Sequence, residues 1–189
     1  MRLNSYFLLL LLIPFLGCEE EVYTPKPKGY FRIDLPEKNY VKYDKDCPFT
    51  FEAPTYSAIS YYQNQSEPCW FNIDYRRFHA RLHLSYKKVE NNLRDYTEDS
   101  RSFTQKHIVK ATDIRENMVV DDSLKVYGVI YEIDGNVASS IQFHLTDSTQ
   151  HFIRGSLYFD AKPNADSLAP VLDFLKEDIY HMVETFKWK

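Results

Sequence analysis

The longest clean alternation of apolar and polar positions in this chain runs from Phe78 to Lys88. Phe78, Ala80, Leu82, Leu84 and Tyr86 fall on one side; Arg77, His79, Arg81, His83, Ser85 and Lys87 fall on the other. Period two predicts a strand with one buried face and one face that is wet or covered by a helix. Shorter alternations predict strands at Gly29–Pro36, at Phe49–Ala53 and at Cys69–Tyr75, with Pro36 and Pro54 ending the first two. Gln63–Ser66 reads as a polar turn. A weaker strand is expected over 109–119, and clearer ones over Lys125–Ile133, Val137–Thr146 and His151–Phe159. Asp134-Gly135-Asn136 predicts a hairpin, because Asp-Gly supplies the positive φ angles such turns need. Helical spacing occurs twice. Leu93, Tyr96, Ser100, Phe103 and His107 predict a helix over 93–107 capped by Asn91 or Asn92. Leu168, Leu172, Leu175, Ile179, Met182, Val183 and Phe186 predict a terminal helix over 168–186, capped by Asp166 or Ser167. Pro170 is tolerated in its first turn.

Strands, a helix, a meander and a long terminal helix argue an α+β domain: a mainly antiparallel sheet with helices packed on it. That element order resembles the Mog1p/PsbP-type fold, in which a long terminal helix lies on such a sheet. Fifteen tyrosines and 13 phenylalanines against five glycines suit the same reading, since aromatics favour strands and glycine is depleted there.

The N-terminus has a different grammar. Arg2 precedes an apolar run of 11 residues, Tyr6–Leu16, then Gly17-Cys18 and three glutamates. The run has signal-peptide length and is too short to span a bilayer, which takes about 20 residues. Gly17-Cys18 resembles a bacterial lipobox, so residues 1–17 are expected to be removed and Cys18 lipidated. An ordinary signal peptide with an incidental cysteine is the competing reading. Residues 18–28 carry that cysteine, an acidic run and Thr24-Pro25-Lys26-Pro27-Lys28, a stiff tether. Residues 29–189 are then a single domain, attached to the membrane by its lipid. Cys47 and Cys69 remain as a pair in a compartment where disulfides persist. They are expected to be bridged, two buried thiols being the alternative.

Loss of residues 1–17 takes one charge, Arg2, leaving 22 basic against 27 acidic residues, net −5. That balance argues against nucleic acid, which needs clustered cations to neutralise phosphates. No nucleophile elbow, phosphate loop or paired-histidine zinc helix stands out, so no catalytic residue, metal site or cofactor is expected. His79 and His83 share a strand face but lie about 13 Å apart, too far to ligate one ion jointly. With Arg77 and Arg81 they form a basic stripe, either solvated or a docking patch for an acidic partner. Asp121-Asp122 reads as a turn pair. Ser123, Ser148 and Ser167 each follow an aspartate and precede Leu or Thr. Each resembles the short acceptor used for O-glycosylation of exported proteins in Bacteroidetes. The aromatics read as core packing rather than a sugar platform.

Tyr23-Thr24-Pro25-Lys26-Pro27-Lys28-Gly29-Tyr30-Phe31-Arg32-Ile33-Asp34-Leu35-Pro36, following the lipidation site, resembles the gliding-motility lipoprotein GldD family. The likeness extends through Cys69-Trp70-Phe71 and the terminal helix. It implies an envelope lipoprotein, most simply of the outer membrane, required for gliding and tied to type IX secretion. It implies partners among other gliding lipoproteins or machinery proteins, and it carries no catalytic residues. The alternative is an accessory lipoprotein that binds a glycan or a lipophile in a tyrosine-lined pocket.

Overall fold

The computed structural model describes residues 29, 32–61, 67 and 69–189. The expected signal peptide, Cys18, the tether and the 63–66 turn lie outside them. Residues 33–189 form one compact unit.

The order is β1 (Tyr40–Tyr43), β2 (Phe49–Pro54), β3 (Ala58–Tyr61), β4 (Phe71–Tyr75), β5 (Ala80–Lys88), α1 (Leu93–Gln105), β6 (Ala111–Asp121), β7 (Val126–Gly135), β8 (Ile141–Thr146), β9 (His151–Phe159), α2 (Ala165–Glu184) and β10 (Lys187–Trp188). A seven-stranded sheet runs β3-β4-β5-β9-β8-β7-β6, and a three-stranded one runs β1-β2-β10. Every pairing is antiparallel. The meander β7-β8-β9 joins the N-terminal strands through β5–β9, a register of nine pairs from Ala80↔Phe159 to Lys88↔His151. The fold is thus α+β, with a mainly antiparallel sheet, as the pattern predicts.

The odd positions of β8 and β9 face the main core. Phe71, Ile73, Leu82, Leu84, Ile141, Phe143, Leu145, Ile153 and Leu157 meet Leu175, Ile179, Met182 and Val183 of α2 and the rings of β2. Phe143 sits directly opposite Gly155. A Cβ there would overlap the Phe143 ring, so Gly155 gives that ring its space. Tyr43, Phe51 and Phe71 stack with centroids 4.8 and 4.9 Å from Tyr43, a geometry aromatic pairs favour. The disulfide Cys47–Cys69, with Cα atoms 5.6 Å apart, ties the β1–β2 connection to the start of β4. α1 lies on the opposite face, where Ser100 Oγ meets His144 Nδ1 at 3.2 Å and Tyr96 packs on Phe152.

Several expectations are corrected. The Gly29–Pro36 alternation makes no strand in its described residues: Ile33 and Leu35 are exposed, and the first strand is Tyr40–Tyr43. β5 starts at Ala80, because Arg76–Phe78 forms a 3₁₀ turn and His79 takes a left-handed φ of 48°. The return strand begins at Ile141, not Val137; Val137 instead packs with Tyr131 and Ile133 in a satellite cluster. α1 buries Ser100 and Thr104 and leaves Phe103 exposed. Asn92 occupies its cap position without capping, since its Oδ1 accepts from the Glu90 N–H. α2 starts earlier than expected, and Asn164 is its cap, accepting from Ser167 N.

Candidate functional site

Direct cross-strand partners in an antiparallel sheet share a face. On the face away from the main core, the register aligns Ser60, Asn72, His83, Ser156, Gln142, Tyr131 and Glu116 across all seven strands of the large sheet. An adjacent row is Asp74, Arg81 and Tyr158, and on the other side lie Ser85, Arg154 and His144. This polar field borders an open cleft of about 710 Å³, lined by Asp74, Arg76, His79, Arg81, His83 and Tyr158 among others.

The cleft is rigidly charged. Arg81 Nε donates to Asp74 Oδ1, and Asp74 is only 8% exposed. Burial alone would raise the Asp74 carboxyl, but bonds from Ser60 and Arg81 and the charges of Arg81 and Arg76 outweigh it and hold it low. His83 Nδ1 bonds Asn72 Oδ1 at 2.6 Å. Burial, then the Arg81 charge, push the His83 imidazole below its ordinary value, toward the neutral form. Beside His83, Arg154 Nη2 donates to Gln142 Oε1 at 2.6 Å, and its guanidinium lies over Phe103 of α1. Arg154 Nε, Gln142 Nε2 and Ser156 Oγ are buried and have no hydrogen-bond partner among the described residues. Each such group costs about 1–3 kcal/mol unless something satisfies it. A water or a polar group of a bound molecule answers that need.

Of the basic stripe expected on one strand face, the structure keeps Arg81 and His83 on β5. His79 reaches the cleft from its left-handed turn, while Arg77 turns away and pairs with Asp34 at 2.7 Å. Arg76 joins in place of Arg77. Chain reversal at the 3₁₀ turn breaks the period-two count, so residues before Ala80 no longer share the face of those after it. Asp74, Asn72, Gln142, Arg154 and Ser156 escaped sequence reading. Their signal was present as polar alternate positions on three strands, but only the strand order brings them together. Ser123, Ser148 and Ser167 are all exposed at turns or a helix start. Asp121 accepts from Ser123 Oγ and Leu124 N, the turn role expected of it.

Two further ionic clusters are structural. Asp178, 1% exposed on α2, accepts from Lys38 Nζ at 2.8 Å, Tyr40 OH at 2.9 Å and Tyr56 OH at 2.5 Å. Glu132 of β7 accepts from Lys176, Tyr180, Arg115 and Asn117. Among the described residues, no group of three or more potential ligands is placed to hold a metal ion, and no helix is long and apolar enough to cross a membrane.

The family model of the gliding motility lipoprotein GldD matches residues 20–188. The chain belongs to the GldD family. Membership makes it a gliding-motility lipoprotein of the cell envelope. No curated protein matches it. Its fold is similar to that of the cyanobacterial PsbP protein CyanoP from Synechocystis sp. PCC 6803, known from a solution structure. The two are 10% identical with a TM-score of 0.50, over 84% of this chain and 98% of that one. That likeness speaks to the fold alone, and it agrees with the PsbP-like element order. For the GldD chain, then, the cleft is a feature of a lipoprotein rather than of a known enzyme family.

Proposed function

We propose that this chain is a lipid-anchored, non-catalytic component of the outer-membrane side of the envelope, required for gliding and type IX secretion. It acts as an assembly or stability factor. Cys18 carries the lipid, residues 19–28 space the domain from the membrane, and the cleft docks an acidic segment of a machinery protein. The observation that carries this reading is the cleft itself. Arg81 and His83, spaced by the register of β5, and Arg76 and His79, from the turn before it, present cationic or donor groups to one cleft, and a preorganised surface suits docking. Elsewhere, the buried carboxylates Asp178 and Glu132 are committed to internal pairs, which suits a scaffold.

Arg76 and His79 are exposed, and Arg76 acts on buried Asp74 only through its charge, whereas Arg81 bonds the Asp74 carboxylate directly, so replacing Arg76 and His79 is the milder test of docking. Arg76→Glu with His79→Asp should leave the melting temperature within about 4 °C, as each surface change usually costs under about 0.5 kcal/mol and a chain of this size moves about 2–4 °C per kcal/mol. Aspartate tolerates the left-handed φ of position 79. The double variant should lose spreading on agar and secretion of type IX substrates. Normal spreading and secretion by a stably expressed double variant would remove the cleft from the mechanism.

A second reading, ligand binding, draws on Arg154 Nε, Gln142 Nε2 and Ser156 Oγ. Three buried polar atoms without partners suit a polar occupant, a water or a glycan hydroxyl, rather than a lipophile. Ser156→Ala with Gln142→Leu should then abolish retention of envelope glycans without changing assembly; unchanged retention would end that reading. Glycosylation at Ser123, Ser148 or Ser167 fits their exposure, and intact mass of the native lipoprotein tests it.

A further inference from the structure

β6 is the outer strand of the large sheet, and among the described residues no strand pairs with its free side. It is 11 residues long. Natural edges are blunted with charges, prolines, bulges or shortness, because an open ladder recruits another strand. Here the bulge sits at the start, between Ala111 and Asp113. From Asn117 to Val120 the edge has no charge, no proline and no bulge. Met118 and Val120 are 72% and 66% exposed on one face of it. On the other face, a groove of about 310 Å³ beside α2 is lined by Val119, Val126, Ile130, Val183 and Phe186. Leaving this much apolar surface on an open edge is costly for a solvated monomer.

We propose that β6 pairs with β6 of a second copy of this chain, antiparallel about a two-fold axis centred on Met118, to make one continuous sheet. The choice of occupant follows from charge and register. A two-fold normal to the sheet places each residue opposite its mirror position about the centre and keeps the faces aligned. Centring on Arg115 or Glu116 sets like charges face to face. Centring on Asn117 opposes Asp113 to Asp121, and centring on Val119 opposes Glu116 to Asp122. Centres nearer either end meet the bulge or run off the strand. Centring on Met118 sets Arg115 opposite Asp121 twice, Glu116 opposite Val120 twice, and Met118 opposite itself. Opposite-charge cross-strand pairs are favourable and like pairs are not. Arg115 already donates to Glu132, Asp134 and Asp113, and Asp121 already accepts from Ser123 and Leu124, so the pairing across the axis adds charge attraction at the rim rather than a new internal bond. The two exposed methionines cover one another, and each Val120 lies beneath a glutamate stem.

The register predicts which cysteine crosslinks. Directly opposed residues have Cα atoms about 4.5–5.5 Å apart, within the range that a disulfide bridges. Position 120 is displaced from its own copy by four residues, about 14 Å. Full-length lipoprotein carrying Met118→Cys, in native membranes and under mild oxidation, should give a covalent dimer on non-reducing electrophoresis. Val120→Cys should stay monomeric, and Glu116→Cys with Val120→Cys should crosslink again. Met118→Lys, at an exposed position that leaves folding intact, should convert the detergent-solubilised wild-type dimer to a monomer by light scattering. A monomeric wild type, a Met118→Cys protein that does not crosslink to itself, or Val120→Cys crosslinking as readily would each overturn the proposal. Crosslinking of position 118 to a different protein would overturn it too, assigning the edge to a foreign strand. These readouts are independent of gliding and of the cleft.

Discussion

Replacing Asp178 by asparagine tests how the N-terminal segment is held to the domain. The carboxylate is 1% exposed and receives Lys38 from before β1, Tyr40 from β1 and Tyr56 from the β2–β3 connection. Lys38 also donates to the Phe174 carbonyl at 2.6 Å and lies over the Phe174 ring. Asparagine fills the same volume, so no cavity enters the cost. It has one acceptor oxygen for three donors, and its amide N–H groups point at donors. It also leaves the Lys38 ammonium, 22% exposed, without its closest counter-ion. Removing one partner of a buried pair costs about 3–5 kcal/mol. Burial and the Asp178 carboxylate push the Tyr56 hydroxyl far above its ordinary value, which marks how firmly that proton is held. Urea denaturation of the disulfide-intact protein should show a lower midpoint at unchanged slope. At about 2–4 °C per kcal/mol for a chain of this size, the melting temperature should fall by roughly 6–20 °C. Tyr56→Phe removes one bond and leaves the charge paired, so it should cost less, about 1.5–3 kcal/mol. An Asp178→Asn protein within about 0.5 kcal/mol of wild type would refute the claim that this carboxylate organises the segment.

Acidification should destabilise the domain in two steps. Burial lowers His144 from 6.5 to about 4, with the Arg154 charge adding to it. The unfolded chain therefore takes up that proton first, and stability present above pH 6.5 is lost between 6.5 and 4. Burial would raise Glu132, but Lys176, Tyr180 and Arg115 bind its charged form and bring it from 4.5 to about 2. Its contribution is complete above pH 4.5 and lost as pH falls toward 2. Each is worth on the order of 3 kcal/mol, so His144→Gln should flatten the upper step of a melting-temperature profile and leave the lower one. Cutting the Cys47–Cys69 bridge, which spans a separation of 22 residues, should cost about 3 kcal/mol. Cys47→Ser with Cys69→Ser, compared with reduced wild type, checks this; equal stability of oxidised and reduced wild type would contradict it.

Period-two patterning made most of the sheet legible, because β4, β5 and β9 carry it on the face that meets α2, while β7 carries it through Tyr131 and Ile133 on the other face. The match at His151–Phe159 is complete, since turns bound that strand at both ends. Pattern failed where the chain needs no regular partner. The 29–36 alternation is real, but its described residues find no neighbouring strand. The Phe78 boundary failed because a 3₁₀ turn and a left-handed His79 preserve the look of alternation while rotating the chain. Tyr40–Tyr43, Ala58–Tyr61 and Lys187–Trp188 are too short to signal themselves. The site was half legible. Arg81 and His83 showed as a stripe, but their partners Asp74 and Asn72 lie on β4, and Ser156 and Gln142 lie on β9 and β8. Only the β4-β5-β9-β8 order makes them neighbours. Asp178 and Glu132 were hidden for the same reason, since neither stands out from its sequence neighbours until its donors arrive from elsewhere in the chain.

The central claim is that a lipid-tethered, chemically quiet domain serves gliding and secretion by holding other components in place. Complementing a deletion strain with Cys18→Ser tests it most directly, by measuring spreading and type IX substrate secretion beside the level and melting temperature of the variant. The account predicts a folded protein at normal abundance that restores neither activity. Full restoration by the untethered protein would contradict it.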